Sequence, residues 1–182
     1  MKIAPQEITL PSGKTLVVRS VTAADAEVHI QFKSTTSGET HFMARYPEEC
    51  VYDIEKVRKG LAACEESPVN FEIGAYDGEE QVGGIGVCCV RAGLKYQHRA
   101  YMGISVVKAY WGCGLGSFLI QIAVEQATAN GFEQLELGVF EDNVRAIHLY
   151  EKFGFEKYGV NPRAFKLKDG TYRDEITMVK ML

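Results

Sequence analysis

The sequence lacks the features that mark several large classes of protein. Its 182 residues contain five cysteines, an odd number, and none of them belongs to a CxxC pair. The four histidines show no spacing typical of metal ligands. We therefore expect neither a disulfide framework nor a metal site. Unpaired thiols of this kind are typical of reduced cytoplasmic proteins, and the cytoplasm is the location that we expect.

Charge and hydropathy argue against two further kinds of partner. The formal net charge is -4 at pH 7 and no basic block occurs, so we expect neither nucleic acid nor a membrane surface as a partner. No run approaches the roughly 20 apolar residues of a membrane span. The opening MKIAPQEITLPSGK lacks the apolar core of a signal peptide.

What is present indicates one α/β (α+β) domain over residues 1–182. Apolar residues make up 46% and charged residues 24%, as in ordinary globular proteins. Periodicity and turn signals predict strands over residues 14–21, 70–76, 81–91, 98–107, 133–140, 164–168 and 172–182. They predict helices over residues 22–33, 54–64, 118–129 and 143–153. The order β-α-α-β-β-β-α-β-α-β-β predicts a mixed sheet of about seven strands flanked by about four helices.

Three glycines at every second position separate a predicted strand from a predicted helix, in YWGCGLGS (residues 110–117). Such a turn is a potential anion site, because the first helical N–H groups lack intrahelical partners and the helix dipole adds partial positive charge. Gly112, Gly114 and Gly116 have no Cβ to hold a phosphate away. The spacing matches neither the Walker loop nor the GxGxxG fingerprint. A glycine-rich connection without a ligand stays open on these eight residues alone.

A second motif lies downstream, in LELGVFEDNVRAIHLYEKFGFEKYG (residues 135–159). Together with the glycine turn it resembles the GNAT superfamily of acetyl-CoA-dependent N-acetyltransferases, whose turn is written Arg/Gln-x-x-Gly-x-Gly/Ala. Trp111 stands at the first position of that turn, where the superfamily has a polar residue. The superfamily pattern Asn-x-x-Ala-x-x-Leu-Tyr-x-x-x-Gly-Phe matches at every named position. The closing LKDGTYRDEITMVKML is similar to the terminal hairpin of bacterial members that acetylate amino acids, peptides or ribosomal-protein N-termini.

The resemblance implies both a fold and an activity. Two middle strands of a single GNAT domain would splay, and the acyl-pantetheine arm would lie in the gap. The enzyme would move an acetyl group from acetyl-CoA, without a metal, to a primary amine by direct attack in a ternary complex. An amino acid, a peptide N-terminus or a small-molecule amine would serve as acceptor. A non-catalytic acyl-CoA sensor and an acyltransferase using another acyl-CoA are alternatives, and a homodimer is compatible with the family.

The resemblance also assigns cofactor contacts. Main-chain groups of Ile104, Ser105 and Val106 would pair with the pantetheine, and the Val106 N–H would polarise the thioester oxygen. Asn143, which is a good N-cap by its position, would contact the cofactor as well. The pyrophosphate would rest on the turn, which consists of Gly112, Cys113, Gly114, Leu115, Gly116 and Ser117.

Tyr150 is the predicted catalytic acid. It lies two helical turns after Asn143 and therefore on the same helix face. The leaving thiolate needs a proton, and a phenol of pKa ~10 can give one to a thiolate of pKa ~8.5 at modest cost. A core aromatic is the structural alternative. An acetyl-cysteine route through Cys113 is disfavoured, because Cys113 lies in the phosphate turn.

The general base is less well defined by the motifs. Some relatives carry a glutamate five residues before Asn143, where this chain has Gly138, and Tyr101 stands where relatives often have an acidic residue. The remaining candidates are Glu39, His41, Glu136 and Glu141. Glu39 is preferred, because its segment follows the first helix, where related proteins line the acceptor site. An α-amine of pKa ~8 costs only ~1.4 kcal/mol to deprotonate at pH 7, against ~4.6 kcal/mol for a lysine amine, which favours a mildly basic acceptor.

Overall fold

The computed structural model describes residues 3–182, which form eight strands and four α-helices. The strands are β1 (Gln6–Thr9), β2 (Thr15–Ser20), β3 (Phe71–Asp77), β4 (Glu80–Cys89), β5 (Arg99–Val106), β6 (Gln134–Phe140), β7 (Glu156–Lys166) and β8 (Tyr172–Met181). The helices are α1 (Ala26–Glu39), α2 (Ile54–Glu66), α3 (Leu115–Ala129) and α4 (Val144–Lys152). No helix in the described part of the chain is long and apolar enough to cross a membrane.

All eight strands belong to one mixed sheet, in the order β1-β2-β3-β4-β5-β6-β8-β7. Only β5 and β6 run parallel, and every other neighbouring pair is antiparallel. The predicted α/β fold with a mixed sheet is therefore confirmed, with eight strands in place of about seven. The additional strand is β1, whose four residues bury only Ile8 and so give almost no periodic signal.

Most predicted boundaries lie within four residues of the observed ones, as for α1, which begins at Ala26, and α3, which begins at Leu115. The two largest errors arise because the elements have weak apolar patterns. β7 begins at Glu156 and not near residue 164. It is an edge strand with mostly exposed side chains, so no alternation of apolar residues marks it. Helix α1 continues past residue 33 to Glu39. Its polar end includes the buried Thr36, whose Oγ1 donates to the carbonyl of Phe32 at 3.1 Å.

The helices pack on both faces of the sheet. Neighbouring residues of β4 point to opposite faces, and their contacts identify the helices that cover each one. A Cβ added at Gly83 would meet Leu115 and Leu119 of α3 at 3.1 Å, whereas one at Gly84 would meet Phe32 of α1 at the same distance. Helix α3 therefore covers one face and α1 the other.

The predicted splay lies between β5 and β6. The two strands pair only where Arg99–Tyr101 meets Gln134–Glu136. Beyond that point β5 pairs only with β4, and β6 only with β8. The side chain of Arg99 holds Glu136 at the paired end, with Nε–Oε1 and Nη2–Oε2 distances of 2.6 and 2.8 Å. The rest of the gap is open.

Candidate active site

A cavity of about 680 Å³, here called the cofactor cavity, lies at the gap between β5 and β6. Its walls come from β5, the glycine turn, β6, α4 and the segment after α1. Nine of the eleven residues predicted to bind the cofactor line it, namely Ile104, Ser105, Val106, Gly112, Gly114, Gly116, Ser117, Asn143 and Tyr150. The other two, Cys113 and Leu115, do not.

The side chains of Cys113 and Leu115 point away from the cofactor cavity. The thiol of Cys113 donates to the carbonyl oxygen of Tyr110, with a sulfur–oxygen distance of 2.8 Å. Leu115 is fully buried in the core. Any contact of these two residues with a cofactor must therefore come from the main chain. The thiol position also gives no support to an acetyl-cysteine route.

The glycine turn presents a series of unpaired main-chain amides. Within residues 3–182, none of the amides of residues 112–117 donates to a protein acceptor. The first intrahelical bond of α3 runs from the Phe118 N–H to the Gly114 carbonyl at 3.2 Å, so the preceding amides stay free. Gly112 and Gly114 have φ of 77° and 90°, in the left-handed region that favours glycine. The turn is thus shaped as a cradle of N–H donors, which suits an anion.

Arg145 adds a positive charge beside the turn that the sequence analysis missed. A Cβ added at Gly112 would lie 3.3 Å from Arg145 Nη2, so the glycine allows the guanidinium to approach the main chain. The Arg145 guanidinium also stacks over the Trp111 ring, 5.3 Å from its centroid. Trp111, the departure from the superfamily turn, therefore supports a cation contributed by α4. The sequence offered one signal for Arg145. It lies four residues before Leu149 and so on the same face of α4, and Leu149 contacts the same turn at Gly116.

Two of its own side chains, those of Tyr110 and Trp111, anchor the glycine turn to the sheet. Tyr110 Oη donates to Asp77 Oδ2 at 2.6 Å, and Lys14 pairs with the same carboxylate oxygen. The hydrogen bond from Lys14 holds the pKa of Asp77 below its ordinary value. Trp111 Nε1 donates to the Val106 carbonyl at 2.7 Å. The turn is consequently fixed at the end of β5.

The register of β5 decides which main-chain groups face the gap. The Val107 N–H donates to the Val82 carbonyl and the Val90 N–H to the Arg99 carbonyl, at 3.0 and 3.1 Å. Antiparallel pairs alternate, so main-chain groups of even-numbered residues in β5 point away from β4. Ile104 and Val106 thus present their N–H groups to the gap. The main chain of Ser105 points to β4, so the prediction that it pairs with pantetheine is not supported by this register.

Asn143 and Tyr150 lie on α4, at the far wall of the cofactor cavity. Asn143 is the N-cap, and its side-chain oxygen accepts from the Ala146 N–H at 3.2 Å. Tyr150 is 7% exposed, and its ring packs edge-on against Phe155 at 5.9 Å between centroids. The Tyr150 hydroxyl has no hydrogen-bond partner among the described residues. Burial, with a contribution from Tyr101, raises the pKa of Tyr150 above its ordinary value, so the phenol keeps its proton at neutral pH.

Glu39, the preferred base, lines neither large cavity of the described chain. Its Oε2 accepts the Lys108 N–H at 2.7 Å, just before the glycine turn. This hydrogen bond ties the end of α1 to the end of β5. The role of Glu39 as general base stays a prediction without support from its position.

The other three candidate bases are engaged elsewhere. His41 Nε2 lies 2.9 Å from Asp142 Oδ2. Glu136 is held by Arg99 at the paired end of β5 and β6. Glu141 accepts the amide N–H of residue 174 at 3.1 Å. None of the three lines the cofactor cavity.

A different carboxylate, that of Glu175, does line the cofactor cavity. A Cβ added at Gly138 would overlap Glu175 Oε1 and lie 3.0 Å from Tyr101 Oη. The Gly138 N–H donates to that Tyr101 oxygen at 2.9 Å. Glu175 therefore fills the space that a side chain at position 138 would take. The carboxylate has no hydrogen bond or ion pair with another described residue.

A second cavity of about 590 Å³, here called the acceptor cavity, lies on the sheet face covered by α1 and α2. It shares Met43, Tyr101, Gly103, Ile104 and Ser105 with the cofactor cavity. The two cavities therefore meet at β5. Two molecules bound one in each would approach each other across that strand.

Comparison with known proteins defines the class to which this fold and site belong. The model of the acetyltransferase (GNAT) family matches residues 33–155. The chain belongs to the GNAT acetyltransferase family.

Two curated relatives are similar over different shares of the chain. The probable N-acetyltransferase YjcK of Bacillus subtilis is 24% identical over 169 residues, which cover 89% of this chain and 91% of YjcK. The L-amino acid N-acetyltransferase AaaT of Escherichia coli is 33% identical over 85 residues, which cover 46% of this chain and 52% of AaaT.

Two solved structures share the fold. A GNAT-family acetyltransferase from Streptococcus pneumoniae has a TM-score of 0.88 and 27% identity, over 92% of this chain and 99% of that one. The yncA protein of Salmonella typhimurium, solved with acetyl-CoA, has a TM-score of 0.79 and 17% identity, over 92% and 94% of the two chains. The family uses acetyl-CoA, and the cofactor cavity offers unpaired amides and a cation that fit its diphosphate.

Proposed function

We propose that this protein transfers the acetyl group of acetyl-CoA to a primary amine by direct attack in a ternary complex. The observation that carries the proposal is the cofactor cavity, which joins the unpaired amides of residues 112–117 to Tyr150 and Glu175. Along β5, Tyr101 and Val106 are about 17 Å apart at the usual rise per residue. A long cofactor arm therefore fits between the glycine turn and the residues proposed for the chemistry.

The cofactor would bind by main-chain groups over most of its length. The diphosphate accepts hydrogen bonds from the amides of residues 112–117 and is attracted by Arg145. The pantetheine pairs with the gap-facing groups of Ile104 and Val106. The N–H groups of these two residues are the candidates to polarise the thioester oxygen, and Ile104 lies nearer along β5 to Tyr101.

The chemistry needs one proton acceptor and one proton donor. Glu175 accepts a proton from the amine, because its unpaired carboxylate lies at the gap over Gly138. The neutral amine attacks the thioester carbon, the carbon–sulfur bond breaks, and Tyr150 gives its proton to the sulfur. The Tyr150 phenolate then takes the remaining extra proton from the amide nitrogen, and Glu175 releases the first proton to water. Gly138 and Tyr101 stand where relatives often have acidic residues, and they are the features of the sequence that favour a non-catalytic sensor. The position of Glu175 supports the enzyme instead.

Release of coenzyme A from acetyl-CoA tests the proposal. The acceptors are free amino acids, polyamines, aminoglycosides and peptides with free N-termini. We expect turnover with at least one of them, whereas a sensor would release coenzyme A with none. AaaT is by its name an L-amino acid N-acetyltransferase, which supports including free amino acids in the panel.

The Glu175→Gln variant tests the assignment of the base. We expect its kcat/KM to fall by roughly 10²–10³-fold at pH 7 and to keep rising with pH, because neutral amine must then come from solution. The matched control is Glu141→Gln, which changes a carboxylate of the neighbouring turn outside both cavities. Equal pH profiles for Glu175→Gln and the unaltered enzyme would exclude Glu175 as the base.

A further inference from the structure

The floor of the acceptor cavity is a row of glycines that leaves the sheet bare. Gly86 of β4 pairs with Gly103 of β5, and both line the cavity. A Cβ added at Gly103 would meet no atom within 4 Å. Continuing the parallel register of Tyr101 and Glu136 by two residues places Gly138 of β6 across the gap from Gly103. Open space therefore runs over β4 and β5 up to the gap.

One end of this row is closed by the carboxylate of Glu72. Glu72 pairs with Gly86 from β3, and a Cβ added at Gly86 would overlap Glu72 Oε2. The carboxylate thus leans over β4, which brings it about one strand spacing, roughly 5 Å, from β5. It has no hydrogen bond or ion pair with another described residue. Burial raises the pKa of Glu72, and the charge of Lys33 partly opposes this.

A positive charge lies in the same cavity but apart from Glu72. Lys33 lines the cavity from α1, and its ammonium group has no hydrogen bond or ion pair with another described residue. The Lys33 charge acts on Glu72 only through space. One carboxyl group and one ammonium group, neither of them paired with another described residue, lie in one cavity and match a ligand that carries both charges. A buried charge without a partner is costly, so both groups gain from such a ligand.

We infer that the acceptor cavity binds a free α-amino acid, with its ammonium group on Glu72 and its carboxylate on Lys33. The inference rests on the proposed function and names the class of acceptor. A peptide N-terminus offers no α-carboxylate to Lys33. A polyamine would bring a second positive charge against Lys33.

The bound amino acid would be placed for the proposed reaction. Its nitrogen lies over Gly103, between Glu72 and Glu175 and beside the gap. One proton of the ammonium passes to Glu175, and the amine stays hydrogen-bonded to Glu72. The amine attacks the thioester carbon, coenzyme A leaves as a thiolate, and Tyr150 protonates it. The phenolate of Tyr150 then takes the second proton from nitrogen, and Glu175 releases the first to water.

Matched acceptors test the roles of the two charges. For the most active amino acid of the twenty, kcat/KM is compared with that of its amide and of the amine without the carboxylate. We expect the amide and the amine to be about 10- to 100-fold poorer, as for loss of one hydrogen bond between charged groups. Lys33→Met should lower kcat/KM for the amino acid to the value for its amide and leave kcat/KM for the amide unchanged. Glu72→Gln should raise KM for all three by a similar factor.

The matched control is Lys59→Met, which removes an exposed lysine of α2 outside both cavities and should keep the preference for the free acid. A Lys33→Met enzyme that keeps the same preference would overturn the assignment of Lys33. Unchanged KM values in Glu72→Gln would overturn that of Glu72.

A binding measurement separates failure of this inference from failure of the proposed function. Free amino acids are titrated calorimetrically into protein saturated with coenzyme A. Turnover of peptides or polyamines with no heat from any amino acid would overturn the inference and leave the acetyltransferase standing. Amino-acid binding that Lys33→Met abolishes, without turnover of any acceptor, would support the cavity assignment and contradict the enzyme.

Discussion

Single side chains decide the chemistry at the gap between β5 and β6. The proposed role of Tyr150 can be tested most directly. The ring is held in the core, while the hydroxyl has no hydrogen-bond partner within residues 3–182. Replacing Tyr150 by Phe keeps the packing and removes only the proton donor. We expect kcat to fall by about 10²–10⁴-fold, the usual contribution of a general acid, with the affinity for acetyl-CoA nearly unchanged. Steady-state release of coenzyme A measures kcat, and calorimetric titration without an acceptor measures the affinity for acetyl-CoA.

The control for that change is Tyr158→Phe, which alters a tyrosine on β7 outside both cavities. It should keep the kcat of the unaltered enzyme. Because burial raises the pKa of Tyr150, the unaltered enzyme should not lose activity through ionisation of this phenol below pH 10. A kcat of Tyr150→Phe equal to that of the unaltered enzyme across pH would remove Tyr150 as the acid.

The site residues that were predicted from the sequence lie in contiguous motifs, whereas those that were missed are placed by strand pairing. Gly112, Asn143 and Tyr150 belong to contiguous motifs whose geometry is set by one turn and one helix. Glu72 and Glu175 reach the site across neighbouring strands. Their positions depend on strand register, which no short stretch of sequence specifies. Their sequence context is that of ordinary strand residues.

At the scale of elements, the glycine turn carries the cofactor by its backbone shape. Gly114 has φ of 90°, which a residue with a Cβ adopts at a cost of about 1–2 kcal/mol. We expect Gly114→Ala to lower the thermal midpoint of unfolding and also to weaken coenzyme A binding by at least about 10-fold. The second effect follows because relief of the strain moves the amides of residues 112–117 out of position. Thermal unfolding and calorimetric titration measure the two effects.

Gly131, which follows α3, offers a matched control for backbone strain. Its φ is 84°, and an added Cβ would meet nothing within 4 Å. Gly131→Ala should therefore lower the thermal midpoint to a similar extent and leave coenzyme A binding unchanged. If both variants bind coenzyme A equally well, the shape of the turn does not control the cofactor.

Apolar periodicity predicted the central strands of the sheet better than the edge strands. Strands β3 to β6 carry the apolar core, and their positions were predicted to within a few residues. β1 and most of β7 were missed, because an edge strand with exposed side chains has no apolar alternation. Main-chain pairing defines these strands, and a sequence does not display main-chain hydrogen bonds. The site lies among the well-predicted central strands, which is why its cofactor side could be outlined.

At the scale of the whole molecule, function and stability are opposed at Glu72. Its pKa is higher in the folded chain than the ordinary 4.5 of a glutamate, chiefly through burial. The folded state then binds more protons than the unfolded state between the two pKa values, so stability falls as pH rises through that window. Above the higher of the two pKa values, the ionised Glu72 destabilises the folded state by the full free-energy cost of burying its charge. A carboxyl group at this position thus lowers the free energy of unfolding.

Glu72→Gln should consequently raise the thermal midpoint of unfolding at pH 7–8. For a chain of this size, the gain is about 2–4 °C for each kcal/mol of destabilisation removed. The gain should shrink toward pH 4, where Glu72 becomes neutral in the unaltered protein. The exposed Glu156→Gln variant should show no comparable gain. A lower midpoint for Glu72→Gln at pH 8 would mean that the charge stabilises the fold.

Binding of coenzyme A by the unpaired amides of residues 112–117 underlies the functions proposed for both cavities. Calorimetric titration with coenzyme A, and in parallel with pantetheine, which lacks the diphosphate, measures it most directly. We expect saturable binding of coenzyme A and at least about 100-fold weaker binding of pantetheine, since several charge-assisted hydrogen bonds are lost. No heat with coenzyme A, or equal affinity for the two compounds, would contradict the proposed cofactor site.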